Sequence, residues 1–484
     1  MHHHALAAAF AVVLVSSVAL ADELLVGAAS VDITPDQPVA LCGQFHLRIA
    51  REVESPVTAS AIALESRRAG KGVDAAVMVS CDLVYVTDEV LRLVREAVAK
   101  RLADLETKKV FLSATHTHTA PETLAGKFVI PKTGVIQPKA YVKLLAGRIA
   151  GAIETAWKAR KPARVTWGLG HAVVGYNRRA VYANGSARMY GKTNQANFRG
   201  PEGPEDHDVN TLFFWGAGDK PIAMAVNVSC PSQEVESRSA VNADYWHPVR
   251  QQLRKRYGED LCVLGWCGAA GDQSPHLMIR KAADERMRGL RKLTRLEEIA
   301  RRIVRAVDET YEAVQGDRHA DVKLAHRVET LRLPMRIVTP AEHADAVGVV
   351  ARARAAIAKD PKVADREYRR MKWYEKTVQR FERQKAEPKP MYEAEVHVLR
   401  IGEAVVCTNP FELFTEFGLR IKARSRAEQT FVVQLTGPGS YLPTARAVRG
   451  GHYSAVVHSN LVGPEGGQVL VDGTVERINS LWAK

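Results

Sequence analysis

The stretch Lys108–Pro121, KKVFLSATHTHTAP, sets an apolar run of strand type, Val110–Leu112, before two histidines spaced by two. Side chains at i and i+2 of an extended segment point the same way. His116 and His118 are therefore expected on one side at the end of a buried strand. A strand end is a rigid platform beside a loop, a useful place to hold metal ligands and bases. The competing reading is an exposed polar loop after a strand.

The surrounding order narrows the fold. Leu24–Pro38 reads as a strand and turn, Ala59–Glu65 and Ala75–Asp82 as strands, and Thr87–Leu105 as an amphipathic helix. Strand, strand, helix, strand predicts an α/β protein with mixed sheets and flanking helices. Tyr141–Lys158 and Trp246–Tyr257 read as helices, as does Thr294–Val314, where Thr294 and Glu297 have capping-box spacing. Leu261–Trp266 reads as a strand opening into the loop CGAAGDQSPH. Pro340–Lys389, rich in Ala, Arg, Lys and Glu at helical spacing, reads as a helical hairpin inserted into one large domain over 22–484. Pro410–Ser425 reads as a helix with Glu412 in its first turn.

With 46% hydrophobic and 25% charged residues among 484, the chain can bury a substantial core. The net charge of +14 is concentrated between about Arg280 and Lys389 and reads as a solvated helical face. No nucleic-acid motif accompanies it. A basic surface of this kind suits peripheral contact with anionic membranes. Six scattered cysteines exclude a disulfide scaffold. Ala5–Ala21 is apolar, and Ala19-Leu20-Ala21 offers a cleavage site, so residues 1–21 read as a secretory signal and the protein as exported, periplasmic or secreted. The n-region holds His2–His4 without Lys or Arg, and an uncleaved anchor is the alternative.

No HExxH, Walker A, GxGxxG or GxSxG motif is present, so a site has to be collected from distant loops. Glu412 is either an oxygen ligand or a helix N-terminal charge. Cys230 is either a thiolate ligand or a buried inert cysteine. Tyr441 and Tyr453, alone, read as packing residues.

Taken in order, these pieces resemble the catalytic region of the neutral (non-lysosomal) ceramidases. VGAASVDITP from Val26 resembles that family's opening segment, and SATHTHTAP its HTHSGP motif. GYNRR resembles its NR segment and GAAGDQSP its NAGDxSP loop. PFELFTEFGLR resembles its PGE segment, and Tyr441 to Tyr453 its paired tyrosines. The resemblance spans most of 22–484 and does not extend to the family's C-terminal immunoglobulin-like domain.

The resemblance implies a zinc amidase. It makes His116, Glu412 and Tyr441 zinc ligands, His118 the neighbouring base, and Arg178, Tyr453 and Ser274 catalytic or positioning groups. Cys230 falls where the family has its second zinc histidine, and thiolate is a competent substitute. His247 in DYWHP is a distant substitute candidate, and Phe411 replaces the glycine of PGE. The implied substrate is an N-acylated amine, ceramide or a related N-acyl lipid. The competing readings are a non-catalytic member that binds lipid or glycan, and a zinc hydrolase of another bond such as an ester.

Overall fold

A computed structural model describes residues 22–360 and 363–483. The expected signal segment lies outside the described residues. The expected class is the one observed: mixed sheets flanked by helices.

Three sheets make the body. The first runs Val110–Ala114, Lys71–Cys81, Thr58–Arg68, Glu23–Asp32 and Lys161–Pro162. The second runs Cys262–Cys267, Pro221–Val228, Asp208–Trp215 and Arg164–His171. The third runs Leu324–Pro334, Met391–Ile401, Ala404–Thr408 and Gln429–Val433. Each is antiparallel except for one parallel pair at or near its edge: 71–81 with 110–114, 221–228 with 262–267, and 404–408 with 429–433.

A parallel pair needs a crossover. Helices Asp88–Arg101, Trp246–Tyr257 and Thr415–Arg424 supply the three. Open α/β sheets tend to bind ligands beyond the carboxyl ends of their strands, and His116 and His118 follow one such end, that of Val110–Ala114.

One apolar face of each sheet turns inward. Val26, Ile62 and Phe111 from the first meet Leu212, Leu264 and Trp266 from the second and Leu399, Val406 and Phe431 from the third in one buried cluster. Helices cover the outer faces. Asp88–Arg101 and Pro138–Lys158 bury Val90, Val94, Ile149 and Ile153 over the first sheet. Arg295–Val314 covers the second through Ile299, Ile303 and Val307, and starts with both halves of the Thr294/Glu297 capping box formed. Pro464–Ser480 covers the third.

Helices Pro340–Lys359 and Ala364–Ala386 form an antiparallel hairpin. Its basic residues are only partly a solvated face. Arg380 donates to the carbonyls of Val457, Asn460 and Arg336 at 2.9, 2.7 and 2.6 Å. All six cysteines are free thiols and buried. Among the described residues no helix is long and apolar enough to cross a membrane.

Candidate active site

Strand Val110–Ala114 ends just before the histidines, and His116 adopts a left-handed backbone with φ 67°. The two imidazoles therefore meet across a tight turn rather than along an extended strand, with ring centroids 4.6 Å apart. Such a conformation is costly for a residue with a Cβ and persists only where its surroundings fix it. Here the Thr117 N–H donates to Leu83 O at 2.9 Å, and the Ser232 N–H to Thr115 O at 3.1 Å. The Thr115 hydroxyl donates to Asp82, which Arg250 grips through two bonds of 2.7 and 3.0 Å.

His116 Nδ1 lies 2.8 Å from the Val84 carbonyl. A carbonyl only accepts, so Nδ1 carries the hydrogen and Nε2 of the neutral ring is a lone pair. That nitrogen is 3.1 Å from His118 Nε2 and 3.4 Å from Glu412 Oε2. A lone pair facing a carboxylate and a second imidazole calls for positive charge between them, as a proton or a cation.

Glu236 Oε2 sits 2.9 Å from His118 Nδ1. Burial drives the His118 imidazolium down to about 4, against the pull of Glu236 and with the help of His116. Burial also opposes the Glu236 charge, but His118, then His276 and Arg178, hold that carboxyl at about 2. A neutral imidazole backed by a carboxylate results. Gly43, at φ +100°, packs on the ring: a Cβ there would lie 2.6 Å from His118 Cγ.

Glu412 is not in a helix. It pairs with Tyr441 on two short parallel strands, 412–413 and 441–442, and the following helix begins at Thr415. This removes the helix-dipole account of Glu412. Burial pushes its carboxyl up, yet His116, Arg178 and the Tyr441 phenol together hold it below the usual range. Arg178 donates to Gly271 O at 3.0 Å, to Tyr441 at 3.3 Å and to Tyr190 at 3.2 Å, and its Nε is buried without a partner. The Tyr190 hydroxyl donates to Ser274 Oγ at 3.0 Å, and Gln233 donates to Tyr190 at 2.8 Å. Ser274 is thereby linked to Arg178 through one phenol.

Gly271 and Asp272 seat this loop. A Cβ on Gly271 would fall 2.3 Å from Glu412 O. Asp272 accepts from the Thr415 N–H and hydroxyl at 2.8 and 2.7 Å and from Asn177 at 3.0 Å.

The Tyr453 ring packs edge-on against Tyr441 and Phe45 at 5.4 and 5.6 Å and tilted against Trp373 at 5.9 Å. Burial, then Glu412, raises the Tyr453 phenol to about 12, so it stays a donor at neutral pH. Glu412, Tyr441 and Tyr453 line one end of a cavity of about 690 Å³. The hairpin helix Ala364–Ala386 lines it as well, through Arg369, Trp373, Lys376 and Arg380.

His116, His118, Glu412, Tyr441, Arg178, Ser274 and Tyr453 are thus brought together. Cys230 is not. Its thiol turns to the Val174 carbonyl at 3.5 Å within an apolar cluster, and burial, then Cys267 and Asp244, push it well up. His247 is acted on by Arg250, Asp82 and Arg254, not by the carboxylates around the imidazole pair.

Among the described residues no three His, Cys, Asp or Glu side chains are arranged to hold a metal ion. The set here differs in composition: the His116 imidazole, the Glu412 carboxylate and the Tyr441 phenol, with His118 beside them. Nitrogen and carboxylate donors suit zinc, whose catalytic sites take three protein ligands and leave one position open. The positive charge called for at His116 Nε2 fits a cation there.

Glu236, Tyr190 and Gln233 complete the site without any sequence signal. They stand in irregular loops, at no fixed spacing from the histidines, and only folding places them.

No family model and no curated protein matches the sequence. The fold is similar to that of solved ceramidases. The solved structure of neutral ceramidase from Pseudomonas aeruginosa matches 95% of this chain and 75% of its own, with a TM-score of 0.66 and 17% identity. A ceramidase complexed with C2 matches 96% of this chain and 75% of its own, with the same score and identity.

Proposed function

We propose that the protein is a zinc-dependent amide hydrolase that cleaves the N-acyl bond of ceramide or a related N-acyl lipid. The observation that carries this reading is the meeting of His116 Nε2 with Glu412, beside a His118 backed by Glu236, with Glu412 lining a cavity of about 690 Å³. His116, Glu412 and Tyr441 would hold the metal. When bound, zinc polarises a scissile carbonyl and lowers the pKa of a bound water towards about 7.

The chain's own groups do the rest. His118 Nε2 takes the proton of the attacking water and returns it to the leaving amine, while Glu236 stabilises the imidazolium formed in between. Arg178 and the Tyr453 phenol face the developing oxyanion. Tyr190 and Ser274 keep Arg178 oriented. The structural likeness to ceramidases supports the amide bond as the target. An exported location, read from residues 1–21, belongs to the same proposal.

The test is release of fatty acid from N-acyl lipids and from simple esters by purified, zinc-supplemented protein, with metal content measured alongside. Amide cleavage with about one zinc per chain is expected. Cleavage of esters alone, or absence of metal with His116 and Glu412 intact, overturns the reading.

A further inference from the structure

The cavity wall supplied by the hairpin is cationic, and part of that charge is unspent. Lys372 is paired with Glu375 at 2.9 Å, and Lys127 with the buried Glu122 at 2.8 Å. Arg380 is occupied by backbone carbonyls. Among the described residues Arg369 and Lys376 form no ion pair. Arg369 leaves its Nε without a partner and lies over the Phe45 ring at 5.3 Å. Asp365, one turn before it, accepts from the Leu47 N–H at 2.8 Å instead. Burial, then Arg369 and Lys127, pulls the Lys376 ammonium below its usual value, with no anion acting against them. Asp88 and Glu89 stand elsewhere on the cavity wall, at the N-terminal turn of their own helix.

Two unpaired cations in a cavity are costly unless something anionic enters. Their position limits what enters. Phe45, under Arg369, touches both Tyr453 and Trp373, so Arg369 lies one aromatic ring from the candidate oxyanion group, with Lys376 lining the same cavity.

We propose that Arg369 and Lys376 select an N-acyl amine that carries an anionic group, a carboxylate or a phosphate. The group enters the cavity beneath the hairpin and meets both cations while the amide reaches Glu412 and Tyr453 on the same cavity wall. This rests on the amide-hydrolase reading and narrows its substrate from neutral lipids to charged ones. The Arg fork suits a planar carboxylate or a phosphate, and the Lys adds a point charge.

Three short-chain probes of equal acyl length test it: N-octanoylglycine, N-octanoylethanolamine and N-octanoylethanolamine phosphate. They are assayed as monomers with the full zinc-loaded chain. An anionic probe is expected to exceed the neutral one in kcat/KM by at least about tenfold, a difference of about 1.4 kcal/mol. The preferred anion assigns carboxylate or phosphate. The double variant Arg369→Gln/Lys376→Gln is expected to lower that ratio about tenfold through KM, as is raised salt. Equal use of charged and neutral probes overturns the proposal, as does a ratio untouched by the double variant. A preference that arises only with anionic vesicles present also overturns it, because it places the anion on a membrane surface. If no probe is cleaved, the amide-hydrolase reading fails. Calorimetric binding of N-octanoylglycine, wild type against double variant, then decides the cation site by itself: binding lost in the variant supports it, and equal binding overturns it.

Discussion

Glu412 and Tyr441 face each other in register on two short parallel strands, with the Glu412 N–H donating to Ser440 O at 3.0 Å. The carboxylate and phenol of the candidate site are thus joined by backbone as well as by side chain. Tyr441→Phe removes the phenol from Glu412 and from Arg178 and leaves the strand pair intact. Zinc affinity is expected to fall about 10- to 100-fold with little change in melting temperature. Competition with a chromogenic chelator measures the first, and a thermal melt the second.

The proposed function divides the imidazole pair into two roles. His116→Ala is expected to lose the metal. His118→Ala is expected to keep it while turnover falls about 100- to 10,000-fold, the usual worth of a positioned acid–base group. Glu236→Gln leaves His118 in place without its counter-charge and gives a smaller fall. Metal analysis beside single-turnover kinetics separates these, and equal metal loss in both histidine variants would show that the division is wrong.

Cys230→Ala is expected to leave zinc content unchanged, since the thiol faces Val174. The variant loses about 1 kcal/mol of stability, the scale of a small deletion from a packed interior. Metal loss in this variant would return Cys230 to the ligand set.

Glu298 is held at about 2, first by Arg301 and then by Arg302, and its side chain is 1% exposed. Its folded value lies below the ordinary value of about 4.3. The stability it contributes is full above that value and is lost as pH falls through about 2. Melting temperature is expected to drop between about pH 4.5 and 2, and Glu298→Gln to be less stable at neutral pH with a shallower acid slope.

Trp373 carries the hairpin's contact with Phe45 and Tyr453. Trp373→Ala is expected to raise KM for long-chain amides by an amount equivalent to about 0.5–1.5 kcal/mol, the worth of an aromatic contact, with kcat less affected. Steady-state kinetics over a range of acyl lengths checks it.

Much of the body was legible because its signals are local. Buried apolar strands such as Ala404–Thr408 and the capping box at Thr294 follow from neighbouring residues alone. Where tertiary partners outvote local pattern, the reading diverged. Pro410-Phe411-Glu412 has the look of a helix start. Yet the Phe411 N–H goes to Asn409 Oδ1 and the Glu412 N–H to Ser440, so the chain stays extended for one more bridge. Leu324–Pro334 carries His, Arg and Glu among its apolar residues and gave no strand signal, although its partner Met391–Ile401 pairs along the whole length. Motif order placed Cys230 at a ligand position, but order says nothing of which way a side chain turns. Glu236 was invisible for a related reason: its partner His118 lies more than a hundred residues away, and only the packing of two sheets brings them together.

The hairpin lines the cavity with helix Ala364–Ala386, whereas the candidate pair His116 and His118 stands on a loop that follows a strand of the first sheet. On the proposed function, what is cut and how it is cut are therefore written in different parts of the chain. Substitutions along one face of a single helix can retune the first, free of the constraints that a shared core places on the second. A lineage could change its diet many times over while keeping the same teeth.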